Sequence, residues 1–194
     1  KTKTLQLFVE QVSHKGIPTL VMDIKGDLSG IAVEGEQNDK INERYAKTKL
    51  PYQPQSFPVE LMTISAEKGL KLRATVTEFG PVLLSKILGL NETQSSIMSI
   101  VFKYADDKAL PLIDLDDLKK VLQYVTDNAE GKKELADNYG SISPASLGAI
   151  LRSIVAMEQQ GATSFFGEPS FDVEDLLQTR GGKGVVNVLR VADI

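Results

Sequence analysis

The sequence predicts an α/β fold interrupted by an all-α insertion, and three observations carry that expectation. Two short apolar runs, Thr19-Leu20-Val21-Met22 and Val185-Val186-Asn187-Val188-Leu189, have the length of strands rather than helices. Between them, from Gly80 to about Gln178, apolar residues fall at successive helical spacings. No period of 20 to 50 residues repeats along the chain, so a solenoid or propeller is excluded.

The first element is a helix over about 2–14. Leu5, Phe8, Val9 and Val12 share one face at three-and-four spacing, and Gly16 with Pro18 stops the helix. The first apolar run then ends at Asp23 and empties into Lys25-Gly26-Asp27, with Gly30 close behind, which reads as a buried strand followed by a polar loop. From Gly35 to Pro58 the composition turns polar, with prolines at 51, 54 and 58, so a short helix near Asp39 to Thr48 and an extended connection are expected. Val59 to Ile64 and Leu70 to Val76 alternate, and Glu67-Lys68-Gly69 supplies turn residues between them; the pattern predicts a β-hairpin.

The helices that follow carry their own start signals. Asn91 has Gln94 three residues on, Asp114 has Asp117, and Ser143 precedes Pro144 at a first helical position. Ile97, Ile100, Val101 and Tyr104 form one core stripe, and Leu147, Ile150, Leu151, Ile154 and Met157 form another. Asp106-Asp107-Lys108 and the stretch Glu130 to Asp137 read as solvated helix ends, and the pair Phe165-Phe166 as the anchor of the insertion to the core. The expected division is therefore 1–79, 80–178 and 179–194.

Composition narrows the functional classes. Of 194 residues 42% are hydrophobic and 25% charged, an ordinary globular balance, and the absence of cysteine removes disulfides and thiolate metal sites. A net charge of −4, with 22 basic residues spread along the chain, argues against a dedicated basic nucleic-acid module. No apolar stretch reaches the roughly 20 residues that span a bilayer, and no signal-peptide pattern opens the chain, so no membrane partner and a cytoplasmic location are expected. His14, the only histidine, lies near a helix end beside Lys15 and reads as solvent-facing rather than as a metal ligand.

The chemistry-bearing residues lie early in the chain. A phosphate-binding loop is a strand, a glycine-rich turn ending in Gly-Lys-Ser/Thr, and a helix whose first amides cradle phosphate. This chain opens with Lys1-Thr2 at a helix start, and the two residues read equally as an exposed basic helix end. The order of parts adds weight: helix, short linker, strand, then Asp-x-Lys-Gly-Asp at the carboxyl end of the strand, where ligands of open α/β sheets sit.

That order, with the runs Lys1-Thr2-Lys3-Thr4-Leu5-Gln6, Met22-Asp23-Ile24-Lys25-Gly26-Asp27-Leu28-Ser29-Gly30 and Arg73-Ala74-Thr75-Val76, resembles the P-loop ATPases of the HerA/FtsK type, in particular a bacterial branch with a HerA-like helicase C-terminal domain. Phe102-Lys103-Tyr104-Ala105-Asp106-Asp107, Glu158-Gln159-Gln160-Gly161, Phe165-Phe166-Gly167-Glu168-Pro169 and Gly184 to Leu189 extend the resemblance over the whole chain. It implies a RecA-like P-loop NTPase core, with Lys1 as the phosphate-binding lysine and Thr2 as a Mg2+ ligand. Lys25 would meet ATP, and Asp23 and Asp27 would act as catalytic carboxylates at the nucleotide edge. For both aspartates a structural role in the loop is the competing reading. Arg180 and Lys183, flanking the glycines at 181, 182 and 184, read either as a contact to DNA or a neighbouring subunit or as an ordinary basic turn.

By the same resemblance the parent protein would be an ATP-hydrolysing, ring-forming homo-oligomer that moves double-stranded DNA. The chain would begin on the last two residues of the phosphate loop and lack the later Asp-Glu strand, and so is expected to be inactive alone. Two other readings stand beside the motor: a nucleotide-switched binding or scaffold protein, and a helical insertion that docks a nuclease or adaptor.

Overall fold

The computed structural model describes residues 1–49 and 51–191, which form two compact units, 1–71 with 172 onward, and 72–171. The first unit contains α1 (Thr2–His14), β1 (Thr19–Asp23), a 3-10 turn (Ser29–Ala32), α2 (Asp39–Thr48), β2 (Val59–Thr63) and β3 (Leu70–Lys71). Later in the chain it adds a second 3-10 turn (Val173–Leu177), β4 (Thr179–Arg180), β5 (Lys183–Gly184) and β6 (Val186–Arg190). The second unit contains α3 (Val76–Ile87), α4 (Glu92–Asp107), α5 (Leu115–Asp127), α6 (Ala129–Tyr139) and α7 (Pro144–Gln159).

Four strands of the first unit form one sheet in the order β1-β6-β2-β3, and all three pairings are parallel. The central strand β6 comes from the far end of the chain and is buried along Val186 to Leu189, as a strand flanked on both sides must be. Val186 and Val188 with Val21, Val59 and Leu61 face Val9, Leu28, Ile31 and Phe57, and these residues make the core of the unit. Each fully buried aliphatic side chain here contributes about 1.5–3 kcal/mol.

Two expectations for this unit need correction. The hairpin does not form: Met62 and Thr63 of β2 pair in parallel with Leu70 and Lys71, and the second run stops as a strand at Lys71. Alternation reports which residues share a face and carries no information about strand direction. Residues 72–75 are taken instead by the approach to α3, where Thr75 and Glu78 close a capping box. Helix α1 also buries a different stripe from the one its apolar residues suggest. Gln6, Val9 and Ser13 are buried while Leu5 and Phe8 are exposed, because two polar side chains on that face find backbone partners across the sheet.

The helical unit has its own core, built from Val76, Leu84, Met98, Val101, Leu118, Leu122, Leu147, Ile150 and Ile154 among others. Its starts follow the sequence signals: Asn91 accepts from Gln94 N–H within a capping box, and Asp114 accepts from Asp117 N–H. Helix α3 begins earlier than Gly80, which lies inside it at φ +75 and, with Pro81, breaks its regular turn. Phe165 and Phe166 pack edge to face with each other and with Phe79, and Phe166 joins the helical core itself. The pair therefore closes the second unit internally. The two ends of this unit meet, with Phe171 N–H donating to the carbonyl of Arg73 (2.9 Å) and Ala74 bridging Phe166.

Candidate functional site

Parallel strands in register bring equivalent ends to one edge, and here Asp23, Arg190 and Thr63 stand side by side where β1, β6 and β2 terminate. By the two-residue period their side chains emerge on the face that carries Val21, Val188 and Leu61, the face covered by α1.

Asp23 is only 2% exposed. One of its carboxylate oxygens accepts from the N–H groups of Lys25 (3.1 Å) and Gly26 (2.8 Å), and the other accepts from Leu28 N–H (2.9 Å). Three amide donors satisfy a charge that would otherwise be costly to bury, and together they bend residues 24–28 into a turn around it. Gly26, at φ +73, supplies a backbone conformation that side-chain-bearing residues avoid. Leu28 is thereby seated in the core, while Lys25 and Asp27 are left exposed, their side chains without hydrogen bonds or ion pairs among the described residues.

Helix α1 is fixed across the sheet by two bonds, one at each edge. Gln6 Nε2 donates to the carbonyl of Asp27 (2.8 Å), and Ser13 Oγ donates to the carbonyl of Gly184 (2.5 Å) just before β6. Seven residues of helix span about 10 Å, so α1 crosses the sheet with its amino end at the carboxyl edge of the strands. Lys1 and Thr2 thus lie one turn beyond the contact with the Asp23 loop. That helix end has no side-chain cap and no acidic residue in its first turn, which leaves its first N–H groups and its positive dipole end facing outward. The backbone passes so close to Ile17 at this point that only glycine fits: a Cβ on Gly184 would stand 2.1 Å from the backbone of Ile17.

Beyond Arg190, the loop after β2 completes the edge. Arg190 pairs with Glu67 at 3.0 Å, and Thr63 Oγ1 accepts from Ser65 N–H at 3.1 Å. Lys71 donates to the carbonyls of Ser65 and Glu67. Gln6, Thr63, Glu67 and Arg190 escaped the sequence reading. Only Gln6 carried a signal, a polar residue one turn from Val9 on what becomes the buried face.

Arg180 and Lys183 are not part of this cluster. They flank the Gly181-Gly182 turn joining β4 and β5, which leads into the amino end of β6, at the opposite edge of the sheet. A five-residue strand separates the two edges by about 13 Å. Both cations are engaged locally: Arg180 with Glu60 at 2.7 Å, and Lys183 with Ser56 O at 2.8 Å and over the ring of Phe57 at 4.5 Å.

The arrangement suits an anionic ligand with an accompanying divalent ion. The uncapped helix end and Lys1 offer positive potential, Lys25 adds a second cation, and Thr2 and Asp27 offer oxygen donors. Among the described residues no group of three or more His, Asp or Glu side chains forms a ready metal site. A hard ion held here would draw most of its oxygens from the ligand and water, as Mg2+ commonly does at phosphates. Among the described residues no single helix is long and apolar enough to cross a membrane.

Comparison with curated protein sequences finds no match. The family model described as Helicase HerA-like C-terminal, however, covers residues 1–194. With the whole chain matched, this protein is a member of the HerA-like helicase C-terminal family.

Proposed function

We propose that this chain supplies part of the nucleotide site of a HerA-family motor ATPase that uses ATP and Mg2+ to move double-stranded DNA, working in the cytoplasm as a ring of identical subunits. The observation that carries the reading is the bond from Gln6 to the Asp23 loop, which ties an uncapped, lysine-bearing helix end to the carboxyl edge of a parallel sheet. Family membership supports the motor class.

In this reading Lys1 and the first amides of α1 bind phosphate, Thr2 gives a hydroxyl to Mg2+, and Lys25 meets the nucleotide. A Mg2+ ion held there would neutralise developing charge on the transferred phosphoryl group. Asp27 is the carboxylate available to the ion or its water. Asp23 acts through the loop, holding Lys25 and Asp27 in place. The core would be a RecA-like P-loop fold, with the helical unit 72–171 as its insertion in place of the expected 80–178. Arg180 and Lys183, at the far edge, are assigned to a subunit or DNA contact apart from the nucleotide.

The test is ATP hydrolysis by the full-length protein with and without double-stranded DNA, beside Lys1→Ala. Turnover that rises with DNA and vanishes in the variant supports the motor. Nucleotide binding without turnover moves the function to a nucleotide-switched scaffold, and turnover unaffected by Lys1→Ala removes the assigned phosphate site.

A further inference from the structure

One cation at the carboxyl edge of the sheet stands on its central strand. The register sets Arg190 of β6 level with Asp23 of β1 on one side and Thr63 of β2 on the other. Its backbone is fixed by the sheet, and the bonding continues one residue beyond it, where Val191 N–H donates to the Asp23 carbonyl (3.1 Å). Adjacent strands lie about 4.8 Å apart, so the carboxylate in rank with Arg190 is that of Asp23. Arg190 does not pair with it, because the oxygens of Asp23 are occupied by the amides of Lys25, Gly26 and Leu28. The guanidinium turns the other way, to Glu67 on the loop after β2, and makes that contact through Nη2 alone (3.0 and 3.3 Å). Its Nε and Nη1 have no partner among the described residues. Each of the two side chains is 29% exposed, a setting in which an ion pair stabilises little and can be exchanged.

The partner of Arg190 sits on a tied loop. Lys71 donates to the carbonyls of Ser65 and Glu67, and Glu67 N–H donates to Ser65 Oγ (3.3 Å), so Glu67 is held in one place. Arg190 emerges on the face covered by α1, whose amino end carries Lys1, so a phosphate held by that end lies on the same side of the sheet as the guanidinium. A guanidinium meets a phosphate through two parallel N–H bonds, and a terminal phosphate brings about two charges against the one of a carboxylate. We propose that Arg190 reads the terminal phosphate of a bound nucleoside triphosphate, exchanging Glu67 for a γ-phosphate oxygen and so releasing loop 64–69, while a diphosphate leaves the Arg190–Glu67 pair intact. Such a role rests on the nucleotide reading of the same edge, and adds to it the group that tells triphosphate from diphosphate and the segment that responds.

The experiment is titration calorimetry of the full-length protein with Mg2+ and either ADP or a non-hydrolysable ATP analogue, joined to amide hydrogen exchange over residues 64–69. Arg190→Ala is expected to weaken the triphosphate about ten-fold, the loss of one charged hydrogen bond, and to leave ADP within about two-fold. Arg190→Lys recovers part of the loss, and Glu67→Gln, which removes the competing carboxylate, tightens the triphosphate alone. In the wild type the analogue speeds exchange in 64–69 and ADP does not. A pair that only braces the fold predicts that Arg190→Ala and Glu67→Gln weaken both nucleotides alike; that result, or loop exchange indifferent to the third phosphate, overturns the proposal. Should Arg190→Ala not fold, Glu67→Gln decides, since unchanged or weaker triphosphate binding overturns the exchange. Wild-type protein that binds neither nucleotide overturns the nucleotide reading and this role together, whereas binding of both with no dependence on Arg190 overturns this role alone.

Discussion

Replacing Asp23 by asparagine separates a carboxylate that builds a loop from one that holds a metal ion. The asparagine carbonyl can still accept from Lys25 and Gly26, but its NH2 group faces Leu28 N–H, donor against donor, at a buried position. One charge-assisted bond is lost outright, about 1.5–3 kcal/mol, and the two that remain become neutral and weaker. The sum is about 3 kcal/mol of stability, which for a chain of this size lowers the melting temperature by roughly 6–12 °C. The assay is thermal unfolding of nucleotide-free, magnesium-free protein followed by circular dichroism, with Asp27→Asn as the control, since that exposed side chain has no partner among the described residues and should change stability by less than about 0.5 kcal/mol. A buried carboxylate awaiting a metal would be a destabilising charge without its ion, and neutralising it would leave apo stability unchanged or raised. Melting of Asp23→Asn within about 2 °C of wild type would therefore refute the loop-building role.

Other outcomes follow from the same geometry. Gln6→Leu removes the bond to Asp27, and is expected to cost about 1 kcal/mol and to speed amide hydrogen exchange across residues 24–28, measured by mass spectrometry. Gly184→Ala places a methyl group 2.1 Å from backbone atoms of Ile17, which cannot rotate away, so a loss of about 3 kcal/mol or more is expected in denaturant titration. Arg180→Ala breaks an exposed ion pair with Glu60 and should change stability by less than about 1 kcal/mol, with nucleotide affinity unaltered by titration calorimetry. The Glu78 carboxyl is held below the usual range, first by the backbone N–H of Thr75 and then by the hydroxyls of Thr75 and Ser170. Its contribution is complete above the unfolded value of about 4.3 and is lost as pH falls through the lower folded value, so Glu78→Gln should flatten acid destabilisation below the unfolded value in thermal melts.

The local signals were legible where they are local in cause. Asn91 with Gln94 and Asp114 with Asp117 declare helix starts because the capping bonds involve neighbours three residues apart, and they form as the sequence implies. Thr75 with Glu78 carries the same signature, yet the alternation from Leu70 runs into it and predicts the tail of a strand there. The parallel pairing of β2 and β3 could not be read, since direction depends on how the loop 64–69 folds and not on which side chains are apolar. At the candidate site, Asp23 stood out by its place at a strand end. Its burial did not, because that depends on amides of its own loop closing over it. Arg190 and Glu67 are 123 positions apart, and only the register of β6 between β1 and β2 brings them together.

The meeting of Arg73 and Phe171 also bears on the order in which the molecule folds. Strand β6 must enter between β1 and β2, yet roughly 100 residues lie between Lys71 and Asp172. Closing a flexible loop of that length costs about 4 kcal/mol in chain entropy by the logarithmic rule. Once the helical unit has formed and its ends are bonded to each other, the chain leaves and returns at neighbouring points, and most of that cost has already been met by helices whose contacts are local. Folding should thus run from the helices to the sheet, with the carboxyl edge and its loop among the last parts to take shape.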